Sequence, residues 1–282
     1  MQRFIALMLI LAAGAAHAQV DESIKSGSGL GSSGRYNPDI GVNLLFLGKY
    51  LNSDKPVNGA PEEENGTGLE IQEVEFSFSA GIDPYFLGQL TMAVEGEEIH
   101  IEEGYATLLA IPMITVKAGK FFTSFGRHNT LHSHSFPFID PPLILSGTFG
   151  DDGLLETGVS VSFLAPLPWF LEITGEVLNG NNEIFSSPKG EDLAYLLNLK
   201  TLFDLSEDAT IQFGGSFVSG KNSYGWWSSV YGADITLKWR PLKRARYLGI
   251  TFQNEYMARV IDLGAGKKEK TDGLYSLLML QF

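Results

Sequence analysis

The sequence predicts an all-β protein: a transmembrane antiparallel β-barrel of twelve strands, with short turns at the periplasmic end and longer loops at the extracellular end. Three observations predict it. The chain opens on a secretory leader, with Arg3 as a positive n-region, Phe4 to Ala15 as an apolar run and Ala16-His17-Ala18 as a small-x-small cleavage box. After the leader no apolar stretch reaches the roughly eighteen residues a spanning helix needs. The remainder of the chain is a series of segments in which apolar and polar residues alternate with period two, the pattern of strands with two different surroundings.

The organisation rests on these. Residues 1–18 read as signal peptide, 19–38 as a Ser/Gly-rich flexible lead-in and 39–282 as the barrel. The strand-like segments run 39–51, 68–82, 85–95, 98–110, 113–124, 154–164, 168–179, 192–203, 209–219, 226–239, 247–261 and 272–282. Each is about the 9–11 residues a tilted strand needs to cross a bilayer, or somewhat more. The second sets Val74, Phe76 and Phe78 against Glu73, Glu75 and Ser77. The sixth sets Leu155, Val159, Val161 and Phe163 against Glu156, Ser160 and Ser162. The seventh sets Trp169, Leu171, Ile173 and Val177 against Glu172, Thr174 and Glu176. The ninth sets Ile211, Phe213 and Phe217 against Thr210, Gln212 and Ser216, and the eleventh Ile250, Phe252 and Tyr256 against Thr251, Gln253, Glu255 and Arg259. Two segments alternate less cleanly: Glu102-Glu103 puts charge on both faces of the fourth, and Leu196-Leu197 puts apolar residues on both faces of the eighth.

The connections alternate in length. Those at 82–84, 111–112, 165–167, 206–208 and 241–246 are tight, and those at 52–66, 125–153, 180–191, 220–225 and 262–271 are longer and mostly polar; only Gly96-Glu97 breaks the alternation. An outer-membrane barrel has this asymmetry, and an even strand count brings both termini to the periplasmic side. Trp226 and Trp227 fall at one end of the tenth strand and Trp239 at the other, with Trp169, Tyr85 and Tyr247 beside short turns, where amphipathic rings meet lipid headgroups. The last segment places Leu278, Leu280 and Phe282 on one face and ends on an aromatic residue, which resembles the C-terminal strand read by the barrel-assembly machinery.

Composition agrees. There are 32 glycines, 12% aromatic residues and no cysteine, so disulfides and thiolate metal sites are excluded. A net charge of −13 excludes nucleic acid as a partner. The expected partners are outer-membrane lipid, the assembly machinery through Phe282, and a small-molecule solute.

Three constellations bear on function. The polar faces place Glu73, Glu75, Glu156, Glu172, Glu176, Asp234 and Glu255 toward the lumen together with Lys117, Lys200, Lys238 and Arg259. An acidic lining favours cations, unless opposite charges pair across a filled interior. The 125–153 loop holds His128, His132 and His134, three of the five histidines, together with Asp140. His132-x-His134 with His128 or Asp140 has the ligand types for Zn²⁺; equally, these rings serve a loop folded against the wall. Phe136, Phe138, Pro141, Pro142, Leu143 and Leu145 make the loop apolar enough to turn inward and constrict a pore. Ser133 and Ser135 beside the histidines raise the outer-membrane phospholipase reading, but neither histidine has a serine two residues on, and no enzyme is expected.

Several motifs stand in order: Asp83-Pro84-Tyr85-Phe86, Glu102-Glu103-Gly104-Tyr105-Ala106, Lys117-Ala118-Gly119-Lys120-Phe121-Phe122, Gly126-Arg127-His128-Asn129 and Phe138-Ile139-Asp140-Pro141-Pro142-Leu143. Over about residues 70–180 the chain resembles a group of Gram-negative outer-membrane β-barrel proteins distantly related to the phosphate-selective porin O/P family, some of them labelled zinc-regulated outer-membrane receptors. The group has no firm function to transfer. The resemblance does not extend to phosphate, because the porin O/P lining is basic and their barrels are longer, of sixteen strands. The reading is thus a porin-like channel for small cationic or neutral solutes constricted by loop 125–153, with a non-conducting barrel that binds a metal or partner through its loops as the alternative.

Overall fold

A computed structural model describes residues 38–50, 67–96, 98–188, 190, 192–243, 245 and 247–282. The signal peptide, nearly all of the lead-in and the 52–66 connection lie outside them. The described chain is all-β. Its strands are β1 (Asp39–Lys49), β2 (Gly68–Gly81), β3 (Phe86–Glu95), β4 (Glu98–Leu108), β5 (Ile114–Phe122), β6 (Leu155–Leu164), β7 (Phe170–Leu178), β8 (Ala194–Ser206), β9 (Ala209–Lys221), β10 (Trp227–Trp239), β11 (Gly249–Gly264) and β12 (Lys267–Gln281). One short helix, α1 (Leu143–Phe149), lies in the β5–β6 connection. The strands form a single sheet in sequence order, the connectivity of an up-and-down barrel. Among the described residues no helix is long and apolar enough to cross a membrane.

The twelve expected strands are all present, and one connection is corrected. Residues 262–271 are not a long polar loop. β11 and β12 continue to Gly264 and Lys267 and meet at a tight turn in which Gly264, Ala265 and Gly266 all have positive φ. The polar residues of this stretch stand in register across the two strands, Asp262 opposite Lys268 and Arg259 opposite Thr271.

Two compact units divide the chain. One comprises the described residues up to Ala80 with Leu90–Ile101, the other Gly81–Gln89 with Glu102–Phe282. In the first, Asn43 of β1 donates its side-chain amide to Glu75 of β2 at 3.2 Å, and Glu73 and Glu75 are buried while Ile40, Val42, Leu44 and Phe46 are exposed.

The second unit has the same inverted burial. On β6, Glu156 and Ser160 are 2% and 3% exposed whereas Val159 and Val161 are 44% and 43% exposed. On β7, Thr174 and Glu176 are buried and Ile173 and Val177 exposed. Soluble proteins bury the apolar face; here the apolar face is outermost, as lipid contact requires. Aromatic pairs stand at both ends of this face, Trp169 with Phe203 at 6.3 Å and Tyr195 with Trp227 at 6.5 Å between ring centroids. The inner face carries its own apolar core, in which Phe125, Leu145 and Phe149 of the long loop and Ile184 and Phe185 of the β7–β8 connection meet Leu178, Leu196, Val218, Val230 and Met257 of the wall.

Candidate functional site: a loop seated on the inner face

The 123–154 connection is tied at its neck. Thr123 donates its backbone N–H to Leu154 at 3.0 Å. Asn129, 2% exposed, donates its side-chain amide to the carbonyls of Thr123 and Leu154 and accepts the N–H of Leu154 at 2.7 Å. One asparagine thus satisfies the backbone where two neighbouring strands part.

Beyond the neck the chain crosses the inner face. Ser124 donates its N–H to Glu176 of β7 at 3.2 Å, and Gly126 to Ser216 Oγ of β9 at 2.8 Å. Arg127 and His128 donate theirs to the two oxygens of Glu255 on β11 at 3.1 and 3.3 Å, and the Tyr275 hydroxyl of β12 donates a hydrogen bond to Glu255 at 2.9 Å. Backbone that would otherwise be orphaned inside the protein finds acceptors on three strands. The wall makes room with small residues. A β-carbon on Gly232 would stand 3.0 Å from the Phe125 ring, and one on Gly273 would stand 2.7 Å from Ile144. Farther along, Arg259 donates Nη1 to the carbonyl of Gly147 in α1 at 3.0 Å and pairs through Nη2 with Glu269 at 3.3 Å.

Most of the expected luminal charges lie on this face, at work on neighbours. Glu156 accepts the Asn181 N–H at 3.0 Å and the Asn182 side chain at 2.6 Å, and so holds the β7–β8 connection. Lys117 lies over the rings of Tyr105 and Phe121 at 4.8 and 4.3 Å, a cation–π contact. Glu172, Lys200, Gly214, Asp234, Glu255 and Tyr275 stand side by side at a single level across β7 to β12. Glu172 and Lys200 pair at 3.8 Å; Asp234 is buried, and Lys238 is half-buried farther along β10. Arg127, Gln212 and Gln253 stand in a motif and on polar strand faces but are not among the site residues the sequence predicts. The Arg127 guanidinium bonds the neutral amide oxygens of Gln253 at 3.1 Å and Gln212 at 3.4 Å, so its charge is positioned but not cancelled by those two partners.

The four candidate metal ligands do not converge. His132 has its ring nitrogens 3.3 Å from Glu102 and 3.0 Å from Glu103, which also accepts the Phe122 N–H. His134 stacks on His132 at 5.8 Å, and Asp140 is exposed. His128 sits apart, fully buried between Phe136 at 4.5 Å, Phe138 at 6.3 Å and Tyr275 at 6.1 Å, with neither ring nitrogen hydrogen-bonded. Burial pulls its pKa down from 6.5 to about 4. Ser133 and Ser135 belong to a single 3₁₀ turn.

No family model matches the chain. It is 34% identical over 218 residues to an uncharacterized protein of Aquifex aeolicus (strain VF5), covering 68% of this chain and 45% of that one, so it spans less than half the length of this curated relative. Among solved structures it is similar to the outer membrane channel DcaP of Acinetobacter baumannii, with a TM-score of 0.36 and 12% identity over 86% of this chain and 98% of that one. It is also similar to OmpT, an outer membrane protein of Vibrio cholerae, with a TM-score of 0.30 and 8% identity over 85% and 97%. Such scores transfer neither solute nor mechanism.

Proposed function

We propose that the protein is a porin-like channel of the bacterial outer membrane for small cationic or neutral solutes, with loop 125–153 as its constriction. The observation that carries this reading is the seating of that loop across the inner face of β7 to β12, behind a sheet whose outer face is apolar. A closed sheet leaves no strand edge unpaired in lipid, and a long inward loop narrows what closure leaves open. The inner face has more carboxylates than basic side chains, which supports a preference for cations. The outward Phe282 suits recognition by the assembly machinery.

The refolded mature protein in planar bilayers, in a KCl gradient, tests the reading. Discrete steps with a cation-selective reversal potential are expected. The second reading, a non-conducting barrel that binds a metal or partner through its loops, draws on the apolar core between loop and wall. A silent protein that still migrates as a folded barrel when unheated would favour it.

A further inference from the structure

We infer that Glu255 and Glu176 are positioning residues: they set the bore by latching the backbone of residues 124–128 and do not act on the permeating solute. The inference deepens the channel reading and rests on it.

Four N–H groups in a stretch of five residues, at 124, 126, 127 and 128, end on wall side chains. Glu255 is fully buried, and its two oxygens divide the donors: Oε1 takes Arg127, and Oε2 takes His128 and Tyr275. Glu176, 2% exposed, takes Ser124 on both oxygens and the Ser160 hydroxyl at 3.0 Å. Carboxylates suit this role, because each accepts several charge-assisted bonds from backbone that has no strand partner. Groups so enclosed have no free face to offer an ion. Gly126 fits the latch from the loop side. Its φ is +63°, and a β-carbon there would collide with Glu255 Oε1. Ser216, oriented by the Asn198 side chain at 2.8 Å, is the peg between the two carboxylates.

Gly126→Val separates positioning from charge, because it evicts the carboxylate without changing any charge. It is compared with Glu255→Gln, Glu176→Gln and wild type by single-channel conductance, by reversal potential and by trypsin cleavage after Arg127. Migration of unheated samples confirms that each variant is folded, and if Gly126→Val fails to fold, trypsin cleavage of Glu255→Gln, a readout independent of ion selectivity, decides the latch. Gly126→Val and Glu255→Gln are expected to raise the open level and expose Arg127 to trypsin, with the reversal potential of Gly126→Val unmoved. If the glutamine variants shift only the reversal potential, or Arg127 stays protected in both Gly126→Val and Glu255→Gln, the inference is overturned. If no protein conducts, the channel reading falls, while protection of Arg127 still decides the latch.

Discussion

His128 shows how one side chain can make the seat of a loop depend on acidity. Its imidazole is enclosed by Phe136, Phe138 and Tyr275, neither ring nitrogen has a hydrogen-bond partner, and Glu255 is engaged by the backbone of residues 127 and 128 and by Tyr275. The seat therefore accepts the neutral ring, and the pKa lies near 4 when seated against 6.5 when released. The sign comes from linkage: the released ring binds the proton more readily, so stabilisation is complete above about pH 6.5 and erodes as pH falls toward 4. At about 1.4 kcal/mol per unit the loss approaches roughly 3 kcal/mol. Melting of wild type is expected to drop between pH 7 and 4 by more than that of His128→Phe, which keeps the aromatic pocket filled. Parallel curves would refute this account. The sequence showed the histidines but not their company. Spacing along an irregular loop does not say which rings meet, and His132 turned to Glu102 and Glu103 while His128 turned to aromatic neighbours.

At the scale of the element, alternation made the strands legible because the two faces of each strand have different surroundings, and every other residue reports one of them. The two blemishes were informative for the same reason. Glu102-Glu103 offended the alternation because both carboxylates face His132, and Leu196 did so because it belongs to the inner apolar core while Leu197 stays on the outer face. The β11–β12 turn was not legible, since residues 267–272 are polar on both faces and hydropathy carries no signal there. Nor was the role of Glu176 and Glu255, whose partners are backbone N–H groups that every non-proline residue possesses. Gly232 is the element-scale counterpart of the latch. Gly232→Val drives a methyl group into the Phe125 ring and is expected to cost about 1–3 kcal/mol in denaturant unfolding. An unchanged midpoint would mean that Phe125 does not rest on β10.

For the whole molecule, the deciding property is that the burial pattern is inside out. Val161 and Ser160 are adjacent on β6 and differ in which face they occupy. Lysine on the lipid side near mid-strand costs about 2–4 kcal/mol. Val161→Lys should therefore fold into lipid vesicles with a clearly lower unfolding free energy than wild type. Equal stability would remove the ground for placing this face in lipid. The assignment of −13 net charge to a membrane protein was never a contradiction, because charge on strands of this kind is confined to one face and to the ends.

The contacts between the early loop and the last strands also order events in time. Arg127 and Glu255 are 128 residues apart in the chain, and Phe138 meets Tyr275 across a comparable interval. Ile144 rests where Gly273 leaves room, so β12 carries the imprint of a segment made long before it. Distant contacts of this kind slow folding, because the chain between them must be ordered before they repay its entropy. They also give late hairpins a template: β11 can settle with Glu255 under residues 127 and 128 in only one register, since a slip by one residue would turn the carboxylate toward lipid. The loop seated on the inner face is in this sense a mould for the final strands.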